Sequence, residues 1–440
     1  MRIPGVSSRQ VLASLGAVFG LLVLASGDAT AADESLDRLY LDAVPVFDAR
    51  YRFEFVDQDG IAKDAKANTL RSRFGVETGR FHGIGFGVDA EGVLTLGEPT
   101  YNSTTNGRTR YPVVADPEDL QLNQAFLVFD GTIPGTMAKL GRQRIVWDNA
   151  RFIGNVGFRQ NEQTFDAARA VLTAVPDTEF DYAYLAEVHR VFGNRSFAGT
   201  MGMSSHAIRA HYDGLGAVAV TPFALLLDYD RSDQAANSSA TFGALADGRT
   251  ALSEDWALLY EAGLAHQQDA YANPRDFGLW YYAVRPGLAW KDVSARLGYE
   301  VLQGNGRIGF RTPLATLHKF NGLTDKFLTT PAKGIQDINL ALAAKLPPGG
   351  WLGGLSLVGA WHEFYGEDGG GHYGREWNIG AFRTLPTSLG STPLGDVSLG
   401  IQFARYDADA FATDTSKLWL TLQFKLSPEP YRRAVRPRIE

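Results

Sequence analysis

Arginine alternates with aromatic and aliphatic residues in several stretches of this chain. Arg50 and Arg52 flank Tyr51 and lie on the opposite face of an extended segment from it. The same phase, opposite an apolar face, holds Arg71, Arg73, Arg169, Arg209, Arg285 and Arg296. The planar guanidinium binds carboxylates through paired hydrogen bonds, and rings of arginine and lysine line anion pores. We therefore expect a surface that concentrates anions, unless acids in the same phase, such as Asp48 and Glu300, neutralise individual arginines.

The longest stretch without a regular hydrophobic period lies within Gly298 to Asp337. It carries cations beside phenylalanines, namely Arg307, Arg311, Lys319, Lys326, Phe310, Phe320 and Phe327. Loops longer than about 12–15 residues in a compact domain are usually functional, so we count Arg311 and Lys319 as candidate substrate contacts. The alternative is a solvated surface loop with incidental charge. A second loop, within 140–169, places Arg159 and Gln160 beside Phe158, a combination that suits sugar recognition.

The elements that would position these residues are β-strands. From Pro45 onward, apolar and polar residues alternate repeatedly, with Phe47, Tyr51 and Phe53 on one face of the first such segment. A soluble sandwich also alternates, but recurrence in segments of about ten residues, apolar outside and polar inside, is typical of a transmembrane barrel. Apart from the first residues, the chain has no apolar run of about 18 residues, which excludes a bundle of membrane helices.

A parity argument gives the number of strands. Counted from the N-terminus, the strand Ala217–Asp230 rises from the periplasm; counted back from the C-terminus, with the 304–334 loop outside, Ala251–His266 rises too. One descending strand must lie between them, and residues 239–246, closed by a turn at 247–249, are the one candidate. The sequence therefore predicts an all-β fold: an antiparallel up-and-down barrel of 18 strands, with long extracellular loops and short periplasmic turns.

The first residues have the pattern of a targeting signal. Arg2 and Arg9 precede an apolar run, and Ala29-Thr30-Ala31 is a small-residue cleavage site. We expect residues 1–31 to be a signal peptide cleaved near Ala31, 32–44 a periplasmic lead-in, 45–426 the barrel and 427–440 a periplasmic C-terminal tail. The expected location is the outer membrane of a Gram-negative bacterium. The chain contains no cysteine, which excludes disulfides and a lipoprotein anchor.

Two runs resemble the alginate export family of outer-membrane β-barrels. They are TPLATLHKFNGLTDKF at 312–327 and GRQ at 141–143 followed by RQNEQTFDAAR at 159–169. The resemblance implies an 18-stranded barrel that exports a polyanionic uronate polymer through an electropositive constriction. Carried over onto this sequence, it marks as pore-mouth or constriction candidates Arg142, Gln143, Arg159, Gln160, Asp166 and Arg169. Arg142 shares its strand phase with Leu140, which looks lipid-facing, so either a bulge or a position above the bilayer is required.

Together these features predict a passive, anion-selective channel for anionic polysaccharide or sugar acids, with alginate-type export implied by the resemblance. Two alternatives stay open: a diffusion porin that imports small acids, and an adhesive or partner-binding barrel, which a plugged lumen would favour. Expected partners are the anionic polysaccharide or solute, outer-membrane lipid, and periplasmic export or synthesis machinery. A monomer is favoured over a trimer.

Other functions find little support in the sequence. The chain has no nucleophile elbow, and its histidines lack the spacing of a zinc site, so we predict neither enzyme activity nor a metal or cofactor. The net charge of −7 argues against nucleic acid as a partner.

Overall fold

The computed structural model describes residues 35–426 except Thr132, Gly390 and Ser391. Its strands form one antiparallel sheet in which each pairs with its neighbours in chain order, and the first pairs with the last. Of the nineteen segments, two are halves of one strand: Pro286 has no N–H to donate, and the segments on either side of it pair with the same two neighbours. The predicted closed barrel of 18 strands is confirmed.

The strand segments, in chain order, are β1 (Val44–Gln58), β2 (Ala65–Glu77), β3 (Ile84–Thr95), β4 (Asp119–Asp130), β5 (Thr136–Gln143), β6 (Thr164–Leu172), β7 (Thr178–His189), β8 (Thr200–Tyr212), β9 (Val218–Leu227) and β10 (Ser239–Ala251). The remaining segments are β11 (Trp256–Asp269), β12 (Gly278–Val284), β13 (Gly287–Trp290), β14 (Val293–Leu302), β15 (Ile335–Lys345), β16 (Ser356–Tyr365), β17 (His372–Leu389), β18 (Thr392–Ala408) and β19 (Thr415–Leu426). A four-residue helix, α1 (Arg38–Leu41), precedes β1, and two single-turn 3₁₀ helices lie at Ala235–Asn237 and Leu317–Lys319. Among the described residues, no helix is long and apolar enough to cross a bilayer.

The alternation read from the sequence is the alternation of the barrel wall. In β1, Arg50, Arg52 and Glu54 are buried inside, whereas Phe47 is exposed on the outer face. Apolar side chains cover that outer face throughout, for example Phe74, Phe86, Leu127, Leu264, Leu297, Ile338, Ile379, Leu420 and Leu422. An outward apolar band with a polar interior is the arrangement that lipid requires of a closed barrel.

The strand that the parity argument required is β10, which pairs with β9 and β11. The predicted turn at 247–249 is wrong, because these residues continue the strand, with Asp247 opposite Glu261 and Arg249 opposite Leu259. The chain reverses instead at residues 252–255. A polar Asp-Gly-Arg run is a turn signal in isolation, but polar residues and glycine are also tolerated where a strand lines a hydrated interior.

The three longest connections, residues 96–118, 144–163 and 303–334, leave the same end of the barrel, which we call the long-loop end. Two of them differ from the expectation of loops that project outward: residues 144–163, the first lumen loop, and residues 303–334, the second lumen loop, fold into the barrel. At the opposite, short-turn end, α1 contacts the β2–β3 turn through the Gly79 N–H, which donates to the carbonyl of Leu39 at 3.1 Å. The predicted signal peptide with its cleavage site, and the predicted tail after Leu426, lie outside the described residues.

The hydrophobic core lies inside the barrel, between the lumen loops and the wall. Phe152 of the first loop contacts Phe223 of β9 and Tyr281 of β12, with ring centroids 4.4 Å and 5.4 Å apart. Phe327 of the second loop packs on Phe364 of β16 at 4.6 Å. These aromatic contacts remove apolar area of the loops from water, which favours the folded-in conformation by about 25 cal/mol per Å².

Candidate functional site

The two lumen loops bind each other through their backbones inside the barrel. The Gly154 N–H donates to the Leu314 carbonyl at 2.9 Å, and the Thr316 N–H donates to the Ala150 carbonyl at 3.0 Å. The Gln163 side-chain amide adds a third bond to the Leu314 carbonyl at 2.9 Å. Because backbone groups carry these bonds, the pairing of the loops fixes their mutual register in the way a short sheet would.

Side chains join the loops to each other and to the wall at one carboxylate. Asp325 of the second loop accepts hydrogen bonds from Arg159 of the first loop and from Lys417 of β19, both at 2.8 Å. His318 lies 2.6 Å from the other oxygen of the same carboxylate. We call these four residues the Asp325 cluster. Burial alone would raise the pKa of Asp325, but His318, Lys417 and Arg159 hold it well below its ordinary value, so the carboxylate stays ionised.

Further contacts attach the loops to other parts of the wall. Arg151 of the first loop pairs with Glu300 of β14 at 2.9 Å. The Thr324 N–H of the second loop donates to Glu376 of β17 at 3.1 Å. Arg159 of the first loop also pairs with Glu54 of β1 at 3.1 Å. The partners in β14, β17, β19 and β1 attach the loops along one arc of the wall.

Aromatic groups surround the Asp325 cluster. The rings of Phe158 and His318 are stacked with centroids 3.6 Å apart, and Trp419 of β19 meets His318 edge-on at 5.8 Å. The Arg52 guanidinium lies over the Phe158 ring at 4.2 Å. Burial lowers the pKa of His318 despite the attraction of Asp325.

Most of the arginines predicted to line the pore are paired with acids. Arg71 pairs with Asp48 at 2.6 Å, Arg169 with Asp181 at 2.6 Å, and Arg285 with both Glu261 and Glu300. The other ion pairs are Arg73 with Glu91 and Glu162, Arg159 with Glu54 and Asp325, and Arg209 with Asp148 and Glu179. These six arginines are therefore neutralised by acids, which was the alternative stated for individual arginines in the sequence analysis.

Five of the predicted cations have no carboxylate oxygen within 4.0 Å among residues 35–426 that the structure describes: Arg50, Arg52, Arg296, Arg311 and Lys319. Arg50 donates to the Gln160 side chain at 2.8 Å and to the carbonyls of Gly157 and Arg159. Lys319 donates to the Asn149 carbonyl at 2.9 Å. These neutral partners solvate the cations without cancelling their charge.

The free cations lie at different heights in the barrel. Arg296 is near the short-turn end, in the first half of β14 and on the inward face it shares with Glu300. Arg50 and Arg52 lie at mid-height in β1. Arg311 lies at the long-loop end, where its N–H donates to Gln267 near the end of β11 at 2.9 Å. Positive charge is thus distributed along the whole interior.

Gln160 is the most connected of the predicted polar residues. Its side-chain amide donates to the Thr69 hydroxyl at 2.8 Å and its oxygen accepts from Arg50, while its backbone N–H donates to Asp116 at 2.8 Å. It thereby joins the first lumen loop to β1, β2 and the 96–118 connection. Gln160 supports the position of Arg50, with no polar side-chain atom left for a solute.

Arg142 and Asp166 lie on the outer face of the wall, which they share with Leu140. Arg142 donates to both oxygens of Asp166, at 2.8 Å and 3.1 Å. The ladder between β5 and β6 is regular at Arg142, so no bulge moves it off the outer phase. The bidentate pair with Asp166 provides its hydrogen-bond partners there. Gln143, one residue on, points inward and is fully buried.

The same outer cluster contains the described residues that come closest to a metal site. Carboxylate oxygens of Asp166 and Glu187 and a ring nitrogen of His189 lie within 4.8 Å of one another. Arg142 already occupies both oxygens of Asp166, and its positive charge opposes a cation there. We assign no metal to these residues.

Several important residues were not among the sequence candidates. Asp325, Lys417 and Glu162 hold the lumen loops, and Arg190 lies at the long-loop end. The sequence does predict that Lys417 points inward, since Leu418, Leu420 and Leu422 occupy the outward phase of the last strand. Asp325 and Glu162 lie in loops with no period, where no sequence signal gives direction.

Comparison with known proteins agrees with the fold. A family model described as alginate export matches residues 46–306, which includes the first lumen loop and ends before the run at 312–327. No curated protein matches.

Solved structures match over nearly the whole barrel. Acinetobacter baumannii OccAB2 is 14% identical, with 89% of this chain and 100% of that chain covered and a TM-score of 0.67. Pseudomonas aeruginosa OpdK with vanillate is 15% identical, with 88% and 99% covered and a TM-score of 0.67. Pseudomonas aeruginosa OccK11 (OpdR) is 17% identical, with 88% and 97% covered and a TM-score of 0.62. At these identities the likeness is one of fold.

Proposed function

Because its match over residues 46–306 shows that the chain belongs to the alginate export family, an outer-membrane barrel family of channels rather than enzymes, we propose that it is an anion-selective channel for small organic acids. The observation that carries the proposal is the set of lumen cations without carboxylate partners, distributed from one mouth to the other. A low-dielectric wall focuses the field of such charges and raises the local concentration of anions. The adhesive alternative is set aside, since the family and the structural relatives are channel proteins.

The attachment of the lumen loops favours small solutes over a polymer. The Asp325 cluster and the pair between Arg151 and Glu300 are buried, with side chains at most 8% exposed. Removing one partner of a buried pair costs about 3–5 kcal/mol, so displacing both loops to widen the passage would be expensive. Vanillate, which accompanies OpdK in its crystal structure, is a small acid of the kind such a passage would admit.

Export of an anionic polysaccharide is the second candidate, and the family match favours it. An extended uronate chain presents a carboxylate at every sugar, which suits a series of free guanidinium groups. This candidate requires the loops to separate or the passage beside them to accept a sugar ring. Periplasmic synthesis or export machinery would then be the partner.

Reversal potentials in planar bilayers under a KCl gradient test the proposal. The wild-type protein should be anion-selective, and the double variant R52Q/R296Q should move the reversal potential toward zero because two unneutralised charges are lost. Arg405→Gln is the matched control: this arginine is exposed in β18, in the phase of Ile401 and Phe403 on the outer face. A cation-selective wild type, or equal potentials in wild type and R52Q/R296Q, would refute the proposal. Block of the current by small acids but not by oligouronates would separate the two candidates.

A further inference from the structure

A cavity of about 210 Å³ lies at the long-loop end, between the second lumen loop and the wall. The wall side is formed by the β7–β8 region, including Arg190 and Met201, and by Tyr229 and Asn237 of the β9–β10 connection. The loop side includes Arg311 and Phe327. The cavity is therefore separate from the cluster at Asp325 and from the mid-height arginines of β1.

The charge of the cavity is positive and largely uncompensated. Its lining contains three arginines and neither aspartate nor glutamate. Arg151 is already paired with Glu300, but Arg311 and Arg190 have no carboxylate oxygen within 4.0 Å in the part of the chain that the structure describes. Arg311 donates one bond to Asn237 at 3.1 Å, and its Nε is buried without a hydrogen-bond partner. The guanidinium of Arg190 lies over the ring of Phe192, at 4.8 Å.

A buried donor without a hydrogen-bond partner is costly, and an anion in the cavity would remove that cost at the Nε of the partly buried Arg311. Burial lowers the pKa of Arg190 and of Arg311, and in the case of Arg311 the neighbouring Arg275 adds to the effect. A carboxylate offers two acceptors in the geometry that guanidinium groups prefer.

The other lining residues and the volume of the cavity indicate the size and polarity of the ligand. Met201, Leu302 and Phe327 add apolar surface to the lining, and Thr312 and Thr329 add hydroxyl groups. A dry cavity of about 150 Å³ holds one benzene molecule. A space of about 210 Å³ therefore accommodates a single small ring with one carboxylate and is too small for a disaccharide.

We propose that this cavity is a binding site for a small monocarboxylate with a compact apolar body, held by Arg311 at the long-loop mouth of the barrel, with Arg190 adding positive charge to the lining. Only the role of this site in collecting solutes before they enter the lumen rests on the proposed function. Binding itself is an equilibrium property of the folded chain and can be measured without transport.

Isothermal titration of the full chain in detergent, with benzoate and its neutral isostere benzamide as probes, tests this proposal. Benzoate should bind one molecule per chain, and benzamide should bind at least about tenfold more weakly, since the charge-assisted bonds are lost. Arg311→Gln should weaken benzoate binding to a similar extent, while Arg311→Lys should retain part of it. Arg307→Gln is the control, because this arginine is exposed on the same loop and outside the cavity.

Equal affinities for benzoate and benzamide, or unchanged benzoate affinity in Arg311→Gln, would overturn the proposal. Heat-modifiable mobility on gels verifies that each variant is folded. The reversal potentials described above keep the two proposals apart. A non-selective pore whose benzoate binding needs Arg311 would refute the channel proposal alone, whereas an anion-selective pore without such binding would refute this site alone.

Discussion

Individual lumen residues divide into those that hold the structure and those that supply a field. Glu162 is fully buried between Arg73 and Arg144, and although burial would raise its pKa, the two arginines lower it to about 2. It therefore stays charged at any physiological pH and binds the first lumen loop to the wall. Arg52, by contrast, lies over the ring of Phe158 and has no carboxylate oxygen within 4.0 Å among the described residues. Counting arginines in the inward phase cannot distinguish the two kinds, because the acid that neutralises a given arginine often comes from a loop.

At the residue scale, Lys326 should make the channel sensitive to mildly alkaline pH. It is half-buried in the second lumen loop, and burial followed by repulsion from Lys417 lowers its pKa to about 8, against the attraction of Glu376, Asp325 and Asp414. A lysine is charged below its pKa, so this cation is largely present at pH 7 and largely lost at pH 9. We expect anion selectivity to fall over that interval, as followed by reversal potentials at half-unit steps.

The matched variants for this pH effect are Lys326→Met and Lys291→Met. The first should give a selectivity that is lower at pH 7 and flat up to pH 9. The second removes an exposed lysine from the β13–β14 turn and should leave the wild-type slope in place. A slope that persists in Lys326→Met would assign the titration to another group.

At the scale of elements, the wall could be predicted from sequence and the lumen loops could not. Each strand has one face in lipid and one in the interior, so alternation reports its existence, its phase and, by parity, even the weakly patterned β10. The loops have no such period. Nothing local indicates that Phe152 and Phe327 turn inward to pack on strands remote in sequence. Arg142, by contrast, lies in strand β5, and the resemblance marked it as a constriction candidate although its phase places it on the outer face.

A disulfide between the lumen loops tests whether they must separate during conduction. A Cβ built on Gly154 would lie 3.1 Å from Cβ of Thr316, slightly inside the about 3.5–4.5 Å of natural disulfides. The chain has no cysteine of its own, so G154C/T316C forms one defined pair. Adding Ala150→Gly relieves the nearest obstruction, at 2.8 Å, and suits the positive φ of 65° at that residue.

We expect the oxidised protein to conduct small ions as the reduced protein does, because the loops are already bonded at this point. The reduced form of the same variant is the control, and mass spectrometry after alkylation measures the extent of cross-linking. If oxidation abolished the current, the loops would have to move apart for conduction, and the polysaccharide candidate would gain support.

At the scale of the whole molecule, the barrel and its contents are two structures with different sources of stability. The wall is closed by the backbone ladder between β1 and β19 and by lipid-facing apolar side chains. The contents are held by ion pairs, aromatic packing and the backbone bonds between the loops. Because of this division, the charges of the interior, and hence the preferred solutes, can differ between proteins that share the same wall. This agrees with a fold that is shared with solved structures at 14–17% identity.

Excision of the second lumen loop is the most direct test of that division. Leu302 and Ile335 are opposite each other in the β14–β15 ladder, and Gly304 and Gly334 are in contact, so deleting 305–333 leaves a tight glycine-containing hairpin of a favoured length. The barrel should still fold, with heat-modifiable mobility on gels. Conductance should rise several-fold as the passage widens. Anion selectivity should fall, because Arg311, Lys319 and Lys326 are lost while Glu300 and Glu376 lose their partners in the loop.

Deleting residues 104–110 from the tip of the 96–118 connection provides the control, since most of this tip is exposed at the same end of the barrel. That variant should keep the conductance and selectivity of the wild type. If excision of 305–333 prevented folding while the control folded, the loop would be part of the stability of the wall. If it folded with unchanged conductance and selectivity, ions would pass by a route that the second lumen loop does not line, and the free cations of β1 and β14 would have to account for selectivity alone.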